Sequence, residues 1–474
     1  MELSRTVLKN TLWLVSAQAM TSALAFAQAV LLVRYLGRES YGVWSVTMAW
    51  PAVLFVLTDL GLNSYILREV AADRERLGFY LVNGLLIKAA LAAVFVAAVW
   101  AASSLLGYEA RVIRYIGLAA LVQAAACFEM FATALFRALQ CFSYESLLGG
   151  LKALGLLGVA LWVIRSGLGI RELLYGNLLW EAVLLAVCAA LLLRHWRPEA
   201  VAWLGVTGSL ALLRRASPFA LLTFVMPIFY QIDIIMLSRL ASMEAVGIYS
   251  AAYKIVLSLL VIPRAFKNAL FPALSHLFRG PREEFAAAFA FACKLMALVG
   301  FPLAFLLYFE AGRIIAFLYA ERFAASVVPL KVMAFCLLFT YLYSATQAAL
   351  DSSRNEGRSA LVWLAATLLN LAADLLLIPR YGYVGSSFAT LLSEATVFAG
   401  GYLVLRRRLA LGMEGPLLLR VGAVAVATAL AVSWLRLHLL IVAGAAALLY
   451  AVLVMAAGLV SRQELRSLLA RGGR

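Results

Sequence analysis

RYLGRESYGVWSVTMAWPAVLFVLTDLGLNSYILRE, residues 34–69, is the stretch that decides the fold. A short polar turn, residues 34–41, separates two apolar runs, and the second run covers residues 42–62. Gly37 and Gly42 lie in this turn, and glycine tolerates the positive φ of a tight reversal. The stretch therefore predicts two antiparallel membrane-spanning helices joined by a tight turn.

The same turn returns about two hundred residues later in the chain. Residues 239–250 read RLASMEAVGIYS, and a shift of 205 residues places Gly42 on Gly247. A second echo aligns GIRELLYGNLLWE, residues 169–181, with GYVGSSFATLLSE, residues 382–394. Echoes that recur in chain order at a nearly constant spacing indicate an internal duplication.

The composition is that of a polytopic membrane protein. The 474 residues are 65% hydrophobic and only 14% charged, with a mean hydropathy of +0.95. A soluble protein of this size is about half apolar and about a quarter charged. Long apolar runs predict helices, because a barrel would show short alternating segments. The net charge is +16, and the positively charged residues lie mostly between the apolar runs, as membrane topology requires. We therefore expect no nucleic-acid partner.

Apolar runs of about 20 residues predict fourteen transmembrane helices, arranged as six, six and two. We place them near 11–33, 42–62, 79–102, 112–136, 147–164, 172–193, 216–238, 247–274, 285–309, 326–350, 359–378, 384–405, 417–435 and 437–460.

These spans divide the chain into four parts. We expect an N-terminal six-helix lobe at 1–193, a cytoplasmic connector at 194–215 and a C-terminal six-helix lobe at 216–408; two additional helices and a cytoplasmic tail occupy 409–474. An even number of helices per repeat gives both lobes the same orientation, related by a pseudo-two-fold axis along the membrane normal. Segments on the side of the N-terminus hold 24 Lys and Arg residues against 12 on the other side, which predicts cytoplasmic termini.

Charged residues within the spans are the candidates for function, because a charge at mid-membrane costs about 2.5–3.5 kcal/mol on insertion scales. Two interpretations stay open. The charges are either structural ion pairs and snorkelling side chains, or they line a water-filled central cavity. Arg68, Asp59 and Lys152 lie near predicted span ends, which favours the structural interpretation for them. The full set is Asp59, Lys88, Glu129, Lys152, Glu181, Asp233, Lys254, Lys294, Asp374 and Glu394.

Lys88 and Lys294 occupy nearly equivalent positions in the third helix of each predicted repeat, at a depth near mid-membrane. The five cysteines and three histidines show no metal-ligand spacing. No nucleophile elbow or phosphate-binding loop appears either. We therefore expect no catalytic residue, no metal and no cofactor.

The motifs along the chain resemble those of the polysaccharide flippase family. This family belongs to the multidrug/oligosaccharidyl-lipid/polysaccharide exporter superfamily. The resemblance implies two six-helix lobes around a central cavity, and export of a lipid-linked oligosaccharide across the cytoplasmic membrane. It rests on RYLGRESYG, TDLGL followed by Arg68, QIDIIML at 231–237, VGIYSAAYK ending at Lys254, LFPALS at 270–275 and LIPRYGYVGSSFATLLSE at 377–394.

On this resemblance we expect a flippase of the inner, cytoplasmic membrane that translocates a polyprenyl-diphosphate-linked oligosaccharide by alternating access. The expected partners are this substrate, membrane lipid, polysaccharide assembly enzymes and either H⁺ or Na⁺. Three functions remain as alternatives: a cation-coupled multidrug antiporter, a peptidoglycan-precursor flippase and an integral membrane glycosyltransferase. The candidate substrate-binding residues are Lys88, Lys294, Lys254 and Arg68, and the candidate coupling or gating residues are Asp59, Glu129, Asp233, Asp374 and Glu394.

Overall fold

A computed structural model describes residues 2–194, 203–216, 221–434 and 439–459, and it is all-α in these ranges. The helices are α1 Glu2–Leu54, α2 Leu62–Ala72, α3 Leu77–Leu105, α4 Ala110–Ala138, α5 Phe142–Arg165, α6 Ile170–Leu192, α7 Gly205–Ala216, α8 Leu221–Leu240, α9 Met243–Leu259, α10 Val261–Leu277, α11 Arg282–Phe309, α12 Ala311–Tyr319, α13 Val327–Ser352, α14 Glu356–Leu409, α15 Gly415–Ser433 and α16 Leu439–Ala456.

Ten helices in the described ranges are long and apolar enough to cross a membrane. Two of them contain a break at a glycine, Gly37 (φ 75°) in α1 and Gly382 (φ 56°) in α14. An unbroken α14 of 54 residues would be about 80 Å long, far more than the hydrocarbon core of about 30 Å. Each break therefore separates two spans, as the predicted pairs of runs require. The helical fold class is confirmed, and the number of fourteen crossings stays a prediction.

The two sequence echoes fall on equivalent structural positions. The first repeat bends at Gly37, and at the corresponding place in the second repeat α8 ends at Leu240 and α9 begins at Met243. Gly169 precedes α6, and its counterpart Gly382 divides α14. The repeats therefore share their chain reversals as well as their sequence.

Three sequence-based expectations are corrected by the backbone. Gly42 lies inside the helix, and the positive φ of the turn belongs to Gly37. The predicted span 42–62 is broken: α1 ends at Leu54, a 3-10 helix covers Phe55–Thr58, and Leu60 and Gly61 take positive φ before α2 begins. The fifth span begins at Phe142, five residues earlier than predicted, so Lys152 lies near the middle of α5.

The chain forms two compact units, residues 1–250 and 251–474. In the first unit α4 is central and packs on α1, α2, α3 and α6, while α8 packs along α1. In the second unit α13 is central and packs on α10, α11 and α14.

Part of the predicted connector 194–215 is visible as α7, which packs on α2. Residues 195–202 of this connector lie outside the described residues, as do 217–220 of the predicted seventh span, 435–438 and the tail from residue 460.

Candidate functional site

The break between α1 and α2 is held by the fully buried side chain of Lys88, which reaches it from α3. The Lys88 Nζ donates to Asp59 Oδ1 at 2.8 Å and to the backbone carbonyl of Thr58 at 3.1 Å. The same Asp59 oxygen accepts the backbone N–H of Asn63 at 3.1 Å, in the first turn of α2. Phe131 of α4 lies beneath the ammonium, with its ring centroid 5.8 Å from Nζ.

This arrangement solves a problem that every interrupted membrane helix has. A helix that stops inside an apolar layer leaves backbone carbonyls and N–H groups without partners, and no water is there to satisfy them. Lys88 satisfies the Thr58 carbonyl at the end of one segment, and Asp59 satisfies an N–H at the start of the next. The ion pair therefore stabilises a bend that the apolar sequence alone does not.

A second buried cluster joins α4, α5 and α6. The Lys152 Nζ lies between two carboxylates, 2.6 Å from Glu129 Oε2 and 2.7 Å from Glu181 Oε1. Both glutamates are buried, while the Lys152 side chain remains 27% exposed. Two carboxylates share one ammonium here, so the cluster has one more acid than base.

The sequence grouped Lys152 with the residues near span ends, and the structure corrects this. Its position at the middle of α5 and its two buried partners make it the centre of the cluster. Glu181 was among the ten charged candidates, yet its pairing with Lys152 was not predicted. Neither partner follows from the sequence, because three nearly all-apolar helices do not reveal which faces meet.

The remaining acidic candidates are buried. Asp233 of α8 accepts a hydrogen bond from the Tyr249 hydroxyl of α9. Glu394 of α14 accepts one from Thr340 Oγ1 of α13 at 2.9 Å. Asp374 is fully buried in α14. Asp374 and Glu394 therefore lie on the same helix, α14, whereas Asp233 lies on α8.

The basic candidates differ in their exposure. Lys254 on α9 and Lys294 on α11 are partly buried. Arg68 on α2 is exposed, forms an ion pair with Glu69 at 3.0 Å and lies over the Tyr65 ring. Lys88 is the one whose ammonium is enclosed by protein atoms on all sides.

The repeated turns contact each other reciprocally, a feature that the sequence did not reveal. A Cβ built on Gly42 would lie 1.8 Å from the Met243 carbonyl oxygen, and one built on Gly247 would lie 1.8 Å from the Arg38 carbonyl oxygen. The shift of 205 residues that relates the two glycines also relates Arg38 to Met243. Arg38 Nη1 adds an ion pair with Glu244 Oε1 at 3.0 Å. Equivalent residues of the two repeats therefore meet across a local two-fold relation.

Within the described ranges, no group of three or more His, Cys, Asp and Glu side chains is arranged to hold a metal ion. The chemistry available at these clusters is electrostatic.

Family models match both halves of the chain. The model described as "Polysaccharide biosynthesis protein" matches residues 7–278, and that described as "Lipid II flippase MurJ" matches residues 208–461.

Two relatives are similar over most of their length. A protein of Shigella flexneri named "Putative O-antigen transporter" is 21% identical over 399 residues, which cover 81% of this chain and 94% of the relative. A protein of Haloferax volcanii named "Probable low-salt glycan biosynthesis flippase Agl15" is 21% identical over 413 residues, covering 85% and 84%.

Solved structures share the fold. A lipid II flippase MurJ in an inward closed conformation matches with a TM-score of 0.77 at 15% identity, covering 93% of this chain and 97% of the other. An inward-facing multidrug resistance MATE family transporter of the MOP superfamily matches with a TM-score of 0.66 at 17% identity, covering 83% and 94%.

Proposed function

The chain belongs to the polysaccharide biosynthesis protein family, and from this we propose that it is a flippase that moves a polyprenyl-diphosphate-linked oligosaccharide across the cytoplasmic membrane. The proposal rests on how much of each relative's sequence aligns with this chain. The match includes 94% of the O-antigen transporter and 84% of the glycan flippase, so it extends over essentially the whole transport unit of each. The ten apolar helices make the chain a multi-pass membrane protein.

The proposed cycle is alternating access, in which the glycan headgroup crosses through a polar path while the lipid tail stays in the bilayer. Arg68, Lys254 and Lys294 keep some exposure, which supports them as contacts for the substrate diphosphate. Arginine and lysine are both common phosphate ligands.

Lys88 would take part in this cycle by exchanging partners. In the conformation described, its ammonium is engaged by Asp59 and the Thr58 carbonyl. A substrate phosphate that drew Lys88 away would remove the support of the break between α1 and α2. Substrate binding and the bend between α1 and α2 would then be coupled through the Lys88 side chain. Lys88 would contact the substrate in one conformation and Asp59 in the other, and a ligand shifts a conformational equilibrium only by such a difference in contacts.

The buried cluster of Glu129, Lys152 and Glu181 supports coupling to a cation. Binding of H⁺ or Na⁺ at its additional carboxylate would neutralise the net negative charge of the cluster. We propose that cation binding here, with Asp233, Asp374 and Glu394 as further candidates, drives or gates the cycle. Polysaccharide assembly enzymes that consume the flipped substrate remain proposed partners.

The decisive test is translocation in proteoliposomes. A fluorescent polyprenyl-diphosphate-linked glycan is placed in vesicles with the purified protein, and a membrane-impermeant reductant bleaches the outer leaflet. We expect a protein-dependent flow of substrate between leaflets, seen as bleaching beyond the outer-leaflet fraction. Protein-free vesicles give the background. Bleaching that stops at the outer-leaflet fraction in both preparations would contradict the proposal.

Lipid II is the second candidate substrate, because the MurJ family model matches residues 208–461. The same assay with fluorescent lipid II separates the two. Faster movement of lipid II than of the oligosaccharide would reassign the substrate. Efflux of a cationic dye without movement of either lipid would indicate a multidrug antiporter, and turnover of a sugar donor would indicate a glycosyltransferase.

A further inference from the structure

The first unit contains a large groove that none of the clusters above uses. It lies between α3 and α6, over α4, and has a volume of about 1210 Å³. Its wall is formed by small and apolar residues of α3 and α4, among them Ala92, Val96 and Leu121. Its rim carries Arg111 and Arg114 at the start of α4 and Arg171 at the start of α6.

The groove lies along α4 between α3 and α6, beside the helix face that packs on α1. Tyr115 of α4 lines the edge of the groove and is also buried in a cluster with Val43 and Trp44 of α1. The aromatic and apolar side chains at the groove edge are open, with Trp100 59%, Leu121 44% and Tyr175 53% exposed. In a chain that spans the bilayer, an open apolar face of this kind is covered by lipid.

The charge of the rim is strongly positive. Three arginines line the groove with one acid, Glu172. Glu172 is occupied, since its carboxylate pairs with Arg171 at 2.8 Å and accepts the Gly169 N–H at 3.0 Å. Arg111 donates to the Tyr115 hydroxyl at 2.9 Å, and neither Arg111 nor Arg114 forms an ion pair in the described ranges. Two guanidinium groups are therefore available to an anion.

We propose that this groove is a binding site for one anionic phospholipid. Arg111 and Arg114 hold the phosphate, and an acyl chain lies along the α3 and α4 wall. Guanidinium groups match phosphate oxygens in bidentate geometry, and Trp and Tyr side chains such as Trp100 and Tyr175 favour the headgroup level. From Arg111 to Ala124 at the groove floor, α4 rises about 20 Å, close to the thickness of one leaflet.

The two halves of the site argue together for a lipid. A soluble anion would use the arginines and leave the apolar wall bare. A neutral or zwitterionic lipid would cover the wall and leave the arginines without a net counter-charge. An anionic phospholipid satisfies both, and its binding does not depend on which glycan the protein transports.

Native mass spectrometry of the purified full-length protein in detergent tests this. Phosphatidylglycerol is titrated against wild type, against Arg111→Gln/Arg114→Gln and against the matched control Arg165→Gln. Arg165 is an exposed arginine at the same end of the bundle that does not line the groove. We expect wild type and the control to bind one tight phosphatidylglycerol, and the double variant to bind it at least tenfold more weakly.

A second variant keeps the test decisive if the double variant fails to fold. Leu121→Trp leaves the arginines in place and fills the apolar wall at an exposed position, so it should also lose the tight lipid. Phosphatidylcholine and inorganic phosphate should not compete. Equal lipid binding in wild type and both groove variants would overturn the proposal, and so would displacement of the lipid by inorganic phosphate alone.

Discussion

At the scale of single residues, Lys88 shows what the sequence predicts about the candidate site and what it does not. A lone lysine deep in an apolar run was recognisable as a candidate without any structure. Its partner was not, because Asp59 lies in a run that reads as one continuous span. The break after Leu54 depends on tertiary contacts of α3 and α4 that no local pattern carries.

The first prediction concerns this ion pair. Lys88→Met should lower the stability of the protein by about 3 kcal/mol, because it leaves Asp59 and the Thr58 carbonyl without their donor. Thermal denaturation in detergent measures the loss. Adding Asp59→Asn should recover a large part of it, since the uncompensated carboxylate is then gone. An unchanged melting temperature in Lys88→Met would mean that the pair does not hold the break.

The second prediction concerns the Glu129–Lys152–Glu181 cluster. Glu181→Gln keeps a polar contact with Lys152 and removes the additional carboxylate, so the protein should fold normally. In proteoliposomes its flipping rate should no longer respond to an imposed H⁺ or Na⁺ gradient. Glu145→Gln is the matched control, because Glu145 pairs with Arg137 at the exposed end of α5. A gradient response that persists in Glu181→Gln would separate this cluster from coupling.

At the scale of helices and turns, the repeated sequence identified the chain reversals correctly and misassigned one glycine. The turn needs positive φ at Gly37, whereas Gly42 is helical and is required by close packing. Sequence cannot separate these two reasons, because both select for the absence of a Cβ. Only the fold places Gly247 against the Arg38 carbonyl and so reveals the close approach.

The third prediction follows from this approach. Gly42→Val or Gly247→Val should sharply reduce the amount of folded protein, because each added Cβ would overlap a backbone carbonyl of the opposite repeat. The carbonyls belong to helices and cannot move aside cheaply. Fluorescence-detected size exclusion gives the folded fraction. Gly158→Ala in α5 has no neighbour within 4 Å of the added Cβ and should behave as wild type. Monodisperse valine variants at wild-type abundance would contradict the contact.

At the scale of the whole molecule, the duplication and the helical class followed from the sequence, because apolar length and spacing are properties of the chain itself. The charge clusters did not follow, because they depend on which helix faces meet. The positions of the arginines also acquire meaning only in the fold. Arg137 lies at one end of the α4–α5 pair, and Arg111 and Arg165 lie at the other. If the side with more Lys and Arg residues is cytoplasmic, the Arg137 end faces the cytoplasm and the end with Arg111 and Arg165 faces the outside.

The last prediction tests this topology on α5. Ser143 and Ser166 are exposed at opposite ends of α5, whose 24 residues rise about 36 Å, enough to cross the bilayer. With cytoplasmic termini, Ser143 lies inside and Ser166 outside. Both are changed to cysteine in a Cys141→Ser background, since Cys141 is the partly exposed native thiol and the other four are buried. A membrane-impermeant maleimide added to intact cells should label Ser166→Cys and should reach Ser143→Cys only after permeabilisation. Labelling of Ser143→Cys alone in intact cells would show that the protein has the opposite orientation in the membrane. The arginine rim of the proposed phospholipid groove would then lie at the cytoplasmic leaflet.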